Sequence, residues 1–169
     1  HGSVAALGAA AAAAGEELPV HLKVDTGMHR VGAAHHDAPD LAVAVDRHPA
    51  LRLASVWTHL ATADEPGSTF TAEQLARFDD ACAAVEAAGV VVPARHAANS
   101  AGAIDHPAAR LDLVRVGIAA YGIAPSPALD GRVPLRPALR LTSRVSHLKV
   151  VPAGGAVSYG QRYRTERDT

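Results

Sequence analysis

The sequence predicts an α/β fold built on a parallel sheet and followed by the start of a β-rich domain. Three observations carry this expectation. Strand-like and helix-like stretches alternate at βα spacing from residue 19 to residue 117, and parallel strands need such crossovers. Each of four strands ends in polar side chains: Lys23 and Asp25, then Thr58 and His59, then Asn99 and Ser100, then Arg115. Beyond residue 138 the apolar pattern changes to two-residue alternation. In (β/α)8 barrels the carboxyl ends of several strands supply the active site. Four consecutive units therefore fit half of such a barrel, with a doubly wound open sheet as the rival.

The elements follow in order. Ser3 is placed to N-cap an Ala-rich helix that stops at Gly15. Residues 19–24 alternate as a strand. Asp37 can cap a second helix, with Pro39 at its first position and Pro49 closing it. Residues 53–59 read as a strand, and Thr71 and Gln74 have capping-box spacing. Leu75, Phe78, Cys82 and Val85 recur at helical spacing up to Gly89. The second half of 90–99 and the stretch 111–117 give the last two strands. Four prolines between Pro125 and Pro137 mark a linker. Residues 139–151, with a bulge before Leu148, are expected to pair with 156–159 across the turn P-A-G-G. The expected domains are thus 1–126, a linker at 127–137, and the beginning of a second domain at 138–169.

Composition excludes some partners. Lys+Arg 16 against Asp+Glu 17 leaves the 169-residue chain near neutral, so neither nucleic acid nor an anionic membrane is expected. The alanine run is too short and too weakly apolar to span a bilayer. A lone Cys82 rules out an internal disulfide framework and fits a reducing compartment, so the cytoplasm is expected. His1 in first place and the ending Y-R-T-E-R-D-T suggest an internal piece of a longer chain. Half a barrel leaves strand edges open, which favours poor folding or aggregation of an isolated piece.

Basic groups at strand ends suit an anionic, planar ligand. Arg115 precedes Gly117 and Ile118, where free backbone N–H groups at a helix start would bind a phosphate. Ser100 can add a hydroxyl. The alternative is that Asn99 and Ser100 only cap a short helix while Arg115 is solvated. Asp25 and Arg30 can pair within the turn after the first strand, with Lys23 on the same face as Asp25. His59 reads more readily as a structural group than as a catalyst. Tyr159 reads as packing in a hairpin. The scattered histidines lack companions at metal-ligand spacing, so no metal site is expected.

Five segments, in order, resemble the alanine racemase family: H-L-K-V-D-T-G-M-H-R-V-G at 21–32, T-H-L-A-T-A-D at 58–64, H-A-A-N-S-A-G at 96–102, D-L-V-R-V-G-I-A-A-Y-G-I at 112–123 and V-S-Y-G at 157–160. The resemblance implies the C-terminal half of a pyridoxal 5'-phosphate-binding (β/α)8 barrel. It also implies a cytoplasmic homodimeric isomerase interconverting L- and D-alanine, which supplies D-alanine for peptidoglycan. By the same resemblance Arg115 contacts the cofactor's pyridine nitrogen, while Ser100, Gly117 and Ile118, beside Asn99, hold the phosphate. Arg30 contacts the substrate carboxylate and is oriented by Lys23, which in relatives is often carbamylated. Tyr159 of the opposite subunit is the acid/base on the L-alanine side, supported by His59 and Arg115.

Two features qualify that picture. Lys23 and Lys149 are the chain's lysines, and neither matches the family's Schiff-base lysine, so the isolated chain is expected to be inactive. His29, Val116 and Gln161-Arg162 depart from the common motif, which bears on substrate breadth. A racemase of broader specificity, for example for serine, and a non-catalytic cofactor-binding or interaction domain are the alternatives.

Overall fold

A computed structural model describes residues 2–169. The chain divides into two units, His1–Ala138 and Leu139–Thr169. In the first, a four-stranded parallel sheet has β1 (Leu18–Asp25) paired with β2 (Ala33–Ala34) on one side and β3 (Leu51–Trp57) on the other. β4 (Arg95–His96) lies beyond β3. Helix α1 (Gly2–Ala14) precedes β1, α2 (Ala38–Asp46) and α3 (Phe70–Ala87) connect the later strands, and α4 (Ser100–Asp105) follows β4. No helix of the described residues is long and apolar enough to cross a membrane.

The sheet has two chemically different faces. Leu22, Val24 and Val56 point to α2 and α3, where Val45, Phe78 and Val85 complete a closed apolar core. Each such side chain contributes roughly 1.5–3 kcal/mol by leaving water. A bulge decides what reaches the other face. Val20 pairs with Leu53 and His21 with Ser55, so Ala54 has no partner in β1. The extra residue shifts the phase of β3. Leu51 and Leu53 therefore share the core side with Val56, whereas Ser55 and Trp57 face the same way as His21 and Lys23.

Several expectations change. α1 begins at Gly2, so Ser3 lies inside the helix rather than capping it. α3 begins at Phe70 after Thr69, so Thr71 and Gln74 do not form a capping box; both are buried on the inner face of the helix. β2 was not foreseen.

Residues 111–117 do not form a regular strand. They run beside β4 through Asp112 N–H to Arg95 O at 3.1 Å and Arg115 N–H to Ala98 O at 3.0 Å. The Asp112 carboxylate accepts the Arg95 N–H at 2.7 Å, so a side chain fills a ladder position, and Leu111 has φ 44°. Pro127–Leu129 forms a 3-10 turn in the proline-rich stretch, and its Leu129 is buried with Leu60, Ala98 and Ala101.

In the second unit, β5 (Ala156–Val157) pairs antiparallel with β6 (Tyr163–Arg164), not with residues 139–151. The chain end folds back instead, with Val151 and Thr169 exchanging backbone hydrogen bonds of 2.8 and 3.0 Å. Leu139, Leu141 and Val145 are exposed and carry no strand assignment. The expected bulge before Leu148 therefore has no strand to interrupt.

Candidate functional site

The site forms at the carboxyl ends of β1, β3 and β4. There Lys23 pairs in register with Trp57, and Trp57 with His96, placing three side chains at one level of one face. Trp57 stacks on the His96 imidazole at 5.6 Å and 9°. The Arg115 guanidinium lies 4.5 Å from the Trp57 ring centre and the Lys23 ammonium 5.1 Å from it. Cations over an indole face are attracted by its quadrupole, so one tryptophan holds two positive groups that repel each other.

Arg115 is further fixed by acceptors. Nη2 donates to Thr58 O at 2.7 Å and Ala97 O at 3.1 Å, and lies 3.3 Å from His59 Nδ1. Nη1 donates to His96 Nδ1 at 2.7 Å. Among the described residues its Nε–H has no partner. The alternative of a solvated arginine therefore does not hold: Arg115 is gripped from two segments, 57–59 and 96–97, and keeps a donor free.

Beside it is a cleft of about 280 Å³ lined by His59, Asp64, Asn99, Ser100, Arg115 and Gly117, among others. Ser100 Oγ accepts the N–H groups of Gly117 at 2.9 Å and Ala119 at 3.3 Å, which leaves its own proton to donate outward. Among the described residues the N–H of Ile118 has no partner. A Cβ at Gly117 would meet only Ser100 Oγ at 4.0 Å, so glycine leaves open space there. The element after Gly117 is a 3-10 turn, Ile118–Tyr121, not the expected α-helix. Its N–H groups act individually and without a helix macrodipole. Asn99 caps α4, accepting from Gly102 N–H at 2.9 Å and donating to Leu60 O at 3.3 Å.

Burial, reinforced by crowded positive charge, shifts the titrating groups of the site. Burial first, and then the positive charges of Arg115, Arg30 and Lys23, hold His59 below its ordinary pKa. Burial, Arg115 and His21 push His96 down to about 4, against a weaker opposing pull from Asp112. Burial, Arg30 and Arg115 lower Lys23, with Asp25 acting the other way. Burial also lowers Arg115, which remains charged at neutral pH. Asp25 does not bridge to Arg30. Burial tends to raise its pKa, but backbone N–H groups of Gly27 at 2.9 Å and His29 at 3.1 Å hold the carboxylate below its usual range.

The depressed His96 carries a stability prediction. On lowering the pH, the unfolded chain protonates this imidazole near 6.5, whereas the folded one resists to about 4. Stability present above about pH 6.5 is lost progressively across that interval. Urea midpoints of the complete protein should fall between pH 6.5 and 4. His96→Gln should flatten that fall, and an unchanged slope would remove His96 as its source.

Sequence reasoning missed a second buried network. Gln74 Nε2 donates to Thr26 Oγ1 and His59 O, both at 3.1 Å, and Gln74 Oε1 accepts the Ala61 N–H at 2.8 Å. Thr26 Oγ1 and Thr58 Oγ1 lie 2.7 Å apart, and Thr58 Oγ1 donates to Val24 O at 2.9 Å. This latches the turn after β1 to the segment carrying His59. The signal was present: Gln74 falls on the same helical face as Phe78 and Cys82, an apolar stripe where a polar residue needs partners. Gln74→Leu should lower stability by about 2–4 kcal/mol by orphaning these groups. A loss below about 1 kcal/mol in chemical denaturation would contradict the latch.

Of the expected residues, Lys23, His59, Asn99, Ser100, Arg115, Gly117 and Ile118 come together in the first unit. Arg30 is exposed on the turn after β1, near enough to influence Lys23 and His59 electrostatically. Tyr159 lies in the second unit.

A parallel sheet flanked by helices, with its polar groups converging at the strand carboxyl ends, places the chain in the α/β class, and the likenesses that follow make it part of a (β/α)8 barrel. Residues 1–125 match the family model of the alanine racemase N-terminal domain, and the chain belongs to the alanine racemase family. The alanine racemase of Desulfosudis oleivorans is 45% identical over 174 residues, covering 97% of this chain and 45% of its own. The crystal structure of alanine racemase from D-cycloserine producing Streptomyces lavendulae superposes with a TM-score of 0.92 at 41% identity, covering 99% and 45%. That from Streptomyces coelicolor gives 0.92 at 40% identity, with the same coverage. The chain spans less than half the length of these relatives.

Proposed function

We propose that this chain is the cofactor- and alanine-binding part of a pyridoxal 5'-phosphate-dependent alanine racemase that supplies D-alanine for peptidoglycan in the cytoplasm. The supporting observation is the Arg115 guanidinium, immobilised on Thr58 O, Ala97 O and His96 with Nε–H free, beside a cleft with outward hydroxyl and amide donors. This donor set fits an aromatic ring nitrogen at one end and a phosphate at the other. The domain reading is 1–126 for the barrel half, 127–137 for the linker and 138–169 for the start of a β-domain.

Bound here, pyridoxal phosphate would supply an electron-withdrawing ring that weakens the Cα–H bond of an amino acid. Arg115 would donate a hydrogen bond to the ring nitrogen and would keep its own proton there. The Ser100 hydroxyl and Ile118 N–H hold the phosphate, and Gly117 leaves room for it. Arg30 receives the alanine carboxylate. The lowered pKa of Lys23 raises its fraction of neutral amine, the form that combines with carbon dioxide. The resulting carbamate, formed with loss of a proton, would orient Arg30. Tyr159 of the second subunit of a homodimer exchanges the proton on the L-alanine side, with neutral His59 accepting a hydrogen bond from Arg115.

The test is direct. The complete protein, supplied with pyridoxal phosphate and L-alanine, should produce D-alanine measured by chiral chromatography. Faster turnover of L-serine would favour the broader-specificity reading. Cofactor binding without turnover of any small amino acid would reduce the protein to a binding domain.

A further inference from the structure

We propose that Ser55 is a positioning residue for Arg115, acting through His96. This rests on the assignment of Arg115 to the cofactor ring. Ser55 Oγ lies 2.9 Å from His96 Nε2 and 2.7 Å from His21 Nδ1, so a continuous chain runs Arg115, His96, Ser55, His21. Its polarity from Arg115 to Ser55 follows from the guanidinium end. A guanidinium only donates, so His96 Nδ1 must be the acceptor. The neutral ring therefore carries its proton on Nε2 and gives it to Ser55 Oγ. The Ser55 hydroxyl keeps its own proton, and its 2.7 Å contact with His21 Nδ1 holds the oxygen in place in either direction.

Each contact does something the others cannot. Stacking on Trp57 fixes the plane of the His96 ring but does not distinguish its nitrogens from its carbons. Arg115 on one edge and Ser55 on the other make that distinction. A rotated imidazole would set Cδ2 against the guanidinium and Cε1 against the hydroxyl. Ser55 is 2% exposed, so no bulk water stands in for its oxygen. It reaches this face because of the bulge at Ala54. With regular alternation it would point to the α2 and α3 side with Leu53.

The experiment compares Ser55→Ala and Ser55→Thr in the complete protein. The first readout needs neither cofactor nor alanine. In ¹⁵N-histidine-labelled protein, the His96 Nε2 proton should give a slowly exchanging resonance. Ser55→Ala should lose it and Ser55→Thr, which keeps the hydroxyl on a strand-compatible side chain, should keep it. The second readout is turnover: kcat should fall about three- to tenfold in Ser55→Ala with KM nearly unchanged, the scale of one buried hydrogen bond, and recover in Ser55→Thr. An unaltered His96 proton in Ser55→Ala, or a loss of kcat that threonine does not restore, overturns the relay. Because the resonance is read without substrate, failure of the relay is separable from failure of the racemase assignment.

Discussion

Tyr159→Phe in the complete protein is expected to lower L-to-D conversion of alanine by about 10²- to 10⁴-fold, the usual worth of a positioned acid/base. The geometry around Tyr159 favours this over packing. It sits in the turn between β5 and β6, and its ring is fully exposed at 100%. Three neighbours hold left-handed backbone: Ser158 at φ 60°, Gly160 at 72° and Gln161 at 49°. Non-glycine residues in this region cost of order 1–3 kcal/mol each and concentrate at functional sites. The turn thus spends stability to present a phenol that its own unit does not use. Because phenylalanine removes only the hydroxyl and keeps the ring, the melting temperature should change little. Retention of more than a tenth of the wild-type rate would remove Tyr159 from proton transfer.

Arg115→Lys is expected to reduce racemisation by about 10²- to 10³-fold, the scale of removing one preorganised donor from a charge-stabilising site. A lysine keeps the charge but not the fork. It cannot serve Thr58 O, Ala97 O and His96 Nδ1 together and still offer a donor to the cleft. The variant should bind pyridoxal phosphate, since Ser100 and Ile118 are untouched, while kcat collapses. A second signature is the His96 ring. With Nδ1 no longer occupied by the guanidinium, its pKa should rise from about 4, although burial, the larger cause, keeps it below 6.5. Titration by NMR reads this without turnover. Wild-type kcat in Arg115→Lys would show that charge alone suffices.

The two residues differ in how far the chain itself disclosed them. Arg115 was visible as a strand-end cation before a glycine. What the sequence could not convey is that Trp57, His96 and the carbonyls of Thr58 and Ala97 surround it, since these lie 18 to 58 residues away. Spacing carries no information about contacts across neighbouring strands. Tyr159 was read locally as packing, because a tyrosine in a predicted hairpin usually is and nothing in S-Y-G makes it reactive. Its exposure depends on β5 pairing with β6, and residues 139–151 alternate well enough to compete for that pairing on paper. Two-residue periodicity identifies a face, not a partner.

What the sequence determined by itself is the alternation of β1, β3 and β4 with α2 and α3 and the polar identity of the strand ends. Those properties are local: apolar spacing selects the element, and Gly15 and Gly89 end helices with left-handed φ of 71° and 86°. Tertiary structure alone decided which side chains share the site. One unpaired residue, Ala54, reverses the alternation of β3 and carries Ser55 and Trp57 to the face of Lys23. Asp112 takes a backbone donor and so denies residues 111–117 a regular ladder. Gln74 turns from a capping position to a buried latch. In each case a long-range hydrogen bond or register choice outweighed a local preference, because a buried polar group left without a partner costs more than a helix cap or an ideal strand contributes.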